Sequence, residues 1–559
     1  MATIYLADIK AWNGAAEVTL YFSTGTGWIS QSGDTPAHTW YEPRISQPAF
    51  MRRDAFTSRR TFGRSAVSFG ELVLSNPDGA LDYMADYAFD GRAILLKVGT
   101  LTKPGAPTWT TVLAGKIEQA TFNWSQLVLR IRDRQIDLDR PFQTTKYLGT
   151  NNEMGVEGWP DIQGRPKVKC RGLVYNVPPP CVNQSKLIYQ VNDGAASTLA
   201  VYDNGVSLVQ GADYTNLSQL QGTPPSVGEW RSCPTLGMFR LGSTPAGQIT
   251  ADVDQGATDA DNTAAQIMQN IAITEGGIDP GDVSSADVTA LDVANNSVIG
   301  IWSDSETTCS AMLDLCANAV GAYWGFDNLG VLRMAQLRAP SGTPDLTITA
   351  TEILSIERAP SRDENRGLPV WRVKLGYKRI WQLQTEVAGV ISSARRTELG
   401  APYRIVVSDD ATVQTAHPFA KEMLIDTVLT NPVDAEAEAE RRLWLYHSEN
   451  AIFDVTIAID GSIGADLNID DVVSIDIDRY DMTGGRLFRV IGLLPDLRRN
   501  RVDLTLWSPG AFLGDTMPAT DWWARVHTEA LLPFRVYSAE TLPTSFTGVY
   551  GAANYTPEG

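Results

Sequence analysis

Four stretches near the end of the chain, residues 453–459, 471–477, 487–491 and 502–507, alternate apolar and polar side chains almost without a break. A period of two suits a strand with one buried and one wet face and does not suit a helix. The opening 145 residues carry shorter runs of the same kind at 18–22, 67–74, 93–98 and 127–131. Turn residues such as Asn76-Pro77-Asp78-Gly79 and Phe89-Asp90-Gly91 separate them. Evenly spaced short strands predict a barrel or sandwich at each end of the chain.

The middle reads differently. Residues 146–250 hold Pro166 and the run Pro178-Pro179-Pro180, then strands at 187–191 and 199–202. Each strand is followed by a hairpin-type turn, Asn192-Asp193-Gly194 and Asp203-Asn204-Gly205. Residues 251–345 predict one helix from the spacing of Ala264, Ile267, Met268 and Ile271. A second is expected to open on a capping box at Ser303-Asp304-Ser305-Glu306 and stop at Gly321, with Cys309, Met312, Leu313, Cys316, Ala319 and Val320 on its apolar face. A hairpin turning at Asp327-Asn328-Leu329-Gly330 follows. Strong helix formers with early acids predict a further helix over 434–445. The fold class is thus mainly β with α+β: a first β-barrel (1–145), an inserted small β-domain (146–250), an α+β domain (251–345) and a second β-barrel with a helical insertion (346–510). Residues 511–559 lose all periodicity and are expected to form an extended arm. Its Trp522, Trp523, Leu531, Leu532 and Phe534 have no core of their own and read as partner-docking residues. A weak repeat links the two ends: Gly115 precedes Asn123 by eight residues, and Gly492 precedes Asn500 by eight, each before a strand.

Chemistry is sparse. With Asp+Glu at 65 and Lys+Arg at 46, the 559-residue chain carries −19, which argues against a surface gripping nucleic-acid phosphates. No apolar run approaches the eighteen or so residues of a membrane helix, and the N-terminus has no basic-then-apolar leader. The five cysteines form no Cys-x-x-Cys and fit a reducing compartment. Cys170, Cys181 and Cys233 share one segment, so a three-thiolate metal or iron–sulfur site lacking a fourth ligand stands beside the simpler reading of buried inert thiols. His38, His417, His447 and His527 are scattered, with no His-Glu-x-x-His, nucleophile elbow or phosphate loop near them. Asp252-Val253-Asp254-Gln255-Gly256 begins like a calcium loop but has its glycine one residue early and Thr263 in place of the bidentate Glu. Asp470, Asp471, Asp476 and Asp478 are the densest carboxylates. Asp476 and Asp478 share a face if both lie on a strand, giving either a hydrolase pair or, by default, a wet strand face. Arg52, Arg53, Arg59, Arg60 and Arg64 read as a solvated or subunit-facing stretch, with an anion site as the sharper option. No catalytic residue, cofactor or resident metal is expected, and no enzymatic activity.

Several phrases resemble tail-tip proteins of tailed phages and prophages, the baseplate or tail hub family, over roughly residues 1–510. They are the opening barrel, the insertion from Arg165-Pro166 to Tyr189-Gln190-Val191-Asn192-Asp193-Gly194 with Val201-Tyr202-Asp203-Asn204-Gly205-Val206, and Ala322-Tyr323-Trp324-Gly325-Phe326. The closing Asp471-Val472-Val473, Phe488-Arg489-Val490-Ile491-Gly492 and Arg501-Val502-Asp503-Leu504-Thr505-Leu506-Trp507 belong with them. The resemblance implies two tail-tube-like β-barrels flanking an α+β domain in a homotrimer at the virion tail tip, assembled in the host cytoplasm. A distal tail or tube protein would sit above, fibre, spike or tip proteins below, with the tape-measure protein as a further contact. Genomic DNA would pass without specific binding. Some members carry a fused peptidoglycan-cleaving domain, for which residues 511–559 are too short. The alternative class is a carbohydrate-binding or carbohydrate-processing virion protein, with Trp12, Trp28, Trp40, Trp522 and Trp523 to stack on sugars. A related non-phage injection device is the third.

Overall fold

The computed structural model describes residues 2–49, 51–56, 63–66, 68–101, 107–151, 155–359, 369–458, 467–496, 499 and 501–510. Alternation in the first 132 residues produces a nine-stranded sheet whose buried face gathers Tyr5, Ala7, Ile9, Leu72, Leu74, Ile94, Leu96, Leu127, Leu129 and Ile131. Six of its strands are Ala2–Trp12, Ile45–Gln47, Phe69–Ser75, Ala93–Leu101, Thr110–Phe122 and Gln126–Arg132. Taken as first to sixth along the chain, they lie in the order first, fourth, fifth, sixth, third, second. Glu17–Ser23, Trp40–Pro43 and Trp28–Ile29 extend the sheet beyond the first strand.

The second half repeats this path. Leu346–Thr349, Ile353–Ala359, Ala451–Ala458, Val472–Ile477, Met482–Asp496 and Arg501–Ser508 form a sheet around Phe453, Val473, Ile475, Phe488, Val490 and Leu504. Its order is again first, fourth, fifth, sixth, third, second. In both sheets the fifth and sixth strands form a hairpin, closed by Phe122–Leu127 in one and Asp496–Arg501 in the other. In both the fifth strand bulges against the sixth, between Ile117 and Gln119 and between Val490 and Gly492. The first strand differs: it runs antiparallel to the fourth in the first sheet and parallel in the second. These two sheets stand where the two barrels were expected, and among the described residues the hydrogen-bonded path of each runs between two edge strands. The glycine–asparagine spacing is not what the halves share. Gly115 lies before its bulge and Gly492 just after its own, and Asn500 is outside the described residues.

The arginine-rich segment stitches the halves together. Arg53–Asp54 pairs antiparallel with Met482–Asp496, and Gly63–Arg64 pairs parallel with Ala322–Phe326. Arg53 is buried and donates to Asn468 Oδ1 at 3.3 Å, and Arg52 pairs with Asp54 at 2.8 Å. Arg64 reaches Asp139 and Asp314 and lies over the Trp324 ring. A solvated or subunit-facing stretch was expected; Arg53 and Arg64 instead form an internal clasp, because polar groups of the same chain meet them, while Arg52 is half exposed. Arg59 and Arg60 are outside the described residues.

The inserted region is two five-stranded sheets packed around Val174, Val201, Trp230, Phe239 and Val253. It runs past residue 250, because Ile249–Asp254 and Gly300–Ser303 both pair with Lys169–Val177. One of the two expected hairpins forms. Asn204 (φ 50°) and Gly205 (φ 84°) turn Ser197–Asp203 into Val206–Ser207. Asn192-Asp193-Gly194 instead carries the chain to the other sheet, since Ile188–Gln190 pairs with Cys181–Asn183 and Met238–Leu241.

The largest core lies between these units, built by helices Ala264–Asn270, Ser285–Ala294, Cys309–Ala319 and Pro432–Tyr446. The third begins later than its sequence implies. Ser303 is held in the Gly300–Ser303 strand opposite Lys169, and Thr308 caps the helix by accepting the Ala311 N–H. No described helix is long and apolar enough to cross a membrane. On Pro432–Tyr446, Glu438 is fully buried and accepts from Arg441 at 2.8 Å and Arg442 at 2.6 Å. Burial raises its pKa, but the two guanidiniums outweigh burial and hold it below the usual glutamate range. Glu438→Gln removes the buried carboxylate that Arg441 and Arg442 share, so chemical denaturation should show a loss of about 3–5 kcal/mol. In the wild type this contribution is present above the unfolded-state pKa and is lost as pH falls through the folded value.

Candidate functional site

The structure disperses most of the residues that the sequence offered as chemistry. Asp476 is the next-to-last residue of Val472–Ile477 and accepts the Gly484 N–H at 2.9 Å. Asp478 lies beyond that strand, in the turn, and accepts from Thr483 at 3.4 Å. The two therefore do not share a strand face. Asp470 is in left-handed backbone (φ 80°) beside Arg489 at 3.1 Å. Burial raises the pKa of both Asp470 and Asp471. Asp252 of the rejected calcium loop accepts from the Asn176 N–H and the Tyr202 hydroxyl, both at 2.8 Å, and Asp254 accepts from Gly256 and Asn262. These are structural partners: both Asp252 oxygens and Oδ1 of Asp254 accept from groups of the chain itself.

The three cysteines are also apart in the packing. Cys170 belongs to the main core of the inserted domain with Cys181 at its margin, whereas Cys233 sits in a separate small core with Tyr147 and Leu220. Among the described residues no three His, Cys, Asp or Glu side chains group as a metal would need. Burial pushes the Cys170 and Cys316 thiols far up and those of Cys181 and Cys309 to about 11. Of the histidines, His447 is buried with Nδ1 2.5 Å from the Trp444 carbonyl, His417 lines a cleft, and His527 is outside the described residues.

Of the aromatic residues, Trp12 carries Arg92 over its ring, and Trp28 packs edge-to-face on Trp109 at 5.5 Å. Trp40 is 52% exposed and covers Gly27, where a Cβ would strike its ring. Trp124, which the sequence reading passed over, stands 96% exposed beyond Phe122, at the turn of the first sheet's bulged hairpin. Trp522, Trp523, Leu531, Leu532 and Phe534 are outside the described residues.

What the sequence did not reveal is a cleft of about 410 Å³ at one end of the second sheet. Arg358, His417, Ser448, Glu449, Phe453, Tyr480 and Arg486 line it. They come from separate segments spread over more than a hundred residues, so no local motif marks them.

No family model matches the sequence, and no curated protein matches it. Solved structures do align with it. A tail protein from Neisseria meningitidis MC58 matches 92% of this chain and 99% of its own, at 12% identity and TM-score 0.40. The 43 kDa tail protein of prophage MuSo2 from Shewanella oneidensis matches 91% and 97%, at 11% identity and TM-score 0.41. A prophage tail protein from Listeria monocytogenes EGD-e matches 94% and 100%, at 8% identity and TM-score 0.35.

The thiol environments make a direct prediction. At pH 8 a disulfide reagent such as DTNB should modify Cys181 before Cys170 or Cys316, and EDTA should leave the melting temperature unchanged. Rapid labelling of Cys170, or a fall in Tm on chelation, would show that the buried-thiol reading is wrong.

Proposed function

We propose that this protein is a structural hub of a phage or prophage tail tip or baseplate. The observation that carries the reading is the strand order shared by two sheets of one chain. Two equivalent sheets per chain let three chains present six around an axis, which joins a sixfold tube to threefold tip structures. The hub closes the tail tube, contacts the distal tail or tube protein and the tape-measure protein, anchors fibre, spike or tip proteins, and leaves a lumen for DNA. It performs no turnover of its own. The sequence phrases shared with tail-tip proteins support the same reading.

In this proposal the two sheets line the ring, while the inserted and α+β regions project from it. Native mass spectrometry should give a homotrimer, and a reconstruction should place six sheets of the shared order around the axis. A hexamer, or a monomer at micromolar concentration, would contradict the adapter role.

Residues 511–559 are assigned to docking the next tail component, because their aromatic and aliphatic residues follow directly on the closing strand. A chain ending at Gly510 should keep the melting temperature of the full protein and fail to recruit its distal neighbour. Unfolding of the truncated chain would place the segment in the core instead.

A further inference from the structure

The cleft at the end of the second sheet has a composition that its surroundings do not explain. Arg486, on Met482–Asp496, has one described hydrogen bond, to the Pro509 carbonyl at 3.2 Å, and packs over Phe488. Burial lowers its pKa; Asp481 pulls the other way, and the charge of Arg358 adds to the fall. Arg358, on the edge strand Ile353–Ala359, is about half exposed and meets the exposed Glu449 at 4.0 Å. That pair is at the limit of an ion pair and is open to water, so it holds Arg358 weakly. His417 and Ser448 supply further polar groups, the Ser448 hydroxyl donating to the Gly510 carbonyl at 3.3 Å. Glu449 and, close by, Asp481 are the carboxylates facing the two guanidiniums.

The aromatic wall is presented by a tight hairpin turn. Tyr480 (φ 55°) and Asp481 (φ 58°) are consecutive left-handed residues in the turn before Met482–Asp496. They are the two central residues of the hairpin turn that the Met482 N–H closes on the Arg479 carbonyl at 3.1 Å, a turn type that requires left-handed backbone at both. Here it lays the Tyr480 ring edge-to-face on Phe453, centroids 5.3 Å apart, with Tyr480 still 46% exposed. The result is a platform beside two guanidiniums.

We propose that this cleft binds a sugar acid, a pyranose bearing a carboxylate. A guanidinium presents a planar fork that matches a carboxylate. Ser448, His417 and the Tyr480 hydroxyl provide partners for ring hydroxyls, and the Tyr480 face suits the apolar face of a pyranose. The volume falls within the range of small-molecule sites, about 300–1,000 Å³. An acidic peptide would use the guanidiniums but not the hydroxyl partners beside an aromatic face. The site stands independently of the hub role.

The test is calorimetric titration of the full-length protein with D-glucuronate and D-galacturonate, beside glucose, acetate and tetraglutamate. The expected result is saturable binding of at least one uronate, absent for glucose and acetate and weakened by salt. Arg486→Gln and Tyr480→Ala should each weaken it at least tenfold. Arg358→Gln alters an exposed side chain and should weaken it without moving Tm, which separates lost binding from lost folding. Absence of uronate binding, or uronate binding unchanged in Arg358→Gln and Arg486→Gln, overturns the proposal. Equal binding of acetate or tetraglutamate also overturns it, because the sugar would then contribute nothing.

Discussion

The Glu438 carboxylate is the point on which the centre of the molecule depends. Arg441 donates to it through two nitrogens and also reaches the Leu337 carbonyl, while Arg442 donates to it and to the Asn318 carbonyl. Those carbonyls follow the hairpin Ala322–Gln336 and end the helix Cys309–Ala319, so one charge cluster ties helix Pro432–Tyr446 to two other elements. The arrangement sets the residue at position 321. Gly321 is left-handed (φ 60°), and a Cβ there would strike the Arg441 guanidinium and crowd Glu438. Such a cluster adds little net stability over an apolar core of the same shape. Its value is orientation, because a guanidinium fork accepts one geometry where packed leucines would accept several.

Around that post the chain uses one strand path twice and decorates it differently. In the first sheet the stretch between second and third strands, residues 48–68, is short and supplies the Arg53–Asp54 and Gly63–Arg64 clasp. In the second sheet the equivalent stretch, 360–450, holds a three-stranded sheet and helix Pro432–Tyr446. The same topological gap therefore carries the tie between halves in one case and the central helix in the other. Both insertions leave the bulged fifth–sixth hairpin intact. That hairpin is the most local part of the path, and its contacts form with the least loss of chain entropy.

The strands were legible where one face is dry. Residues 451–458 and 501–508 are strands because Phe453, Val455, Ile457, Val502, Leu504 and Leu506 point to one core while Asp454 and Asp503 do not. The long helix was legible from its strong helix formers and early acids, and the structure starts it slightly earlier, at Pro432 after the Asn431 cap. What failed depended on partners distant in sequence. Ser303-Asp304-Ser305-Glu306 has the pattern of a cap, yet Ser303 is taken by a strand more than a hundred residues earlier. Asn192-Asp193-Gly194 has the residues of a hairpin turn, but the strand after it belongs to another sheet. The clasp arginines looked solvated because Asp139, Asp314 and Asn468 are remote along the chain. The repeat was sought in residue identity, at Gly115 and Gly492, when it resides in strand order. Strand order tolerates substitution as long as alternation and the bulge survive.

One asymmetry between the sheets bears on the proposed assembly. A first strand running antiparallel in one sheet and parallel in the other presents its free backbone groups in opposite senses, and three added strands cover that edge in the first sheet only. Identical edges would let any sheet pair with any other, which leads to open-ended association. Unlike edges allow a junction within a chain and a different junction between chains. A ring built from such units has a fixed alternation of sheets. The extra strands Glu17–Ser23, Trp40–Pro43 and Trp28–Ile29 are then the part of the first sheet that prevents like edges from meeting.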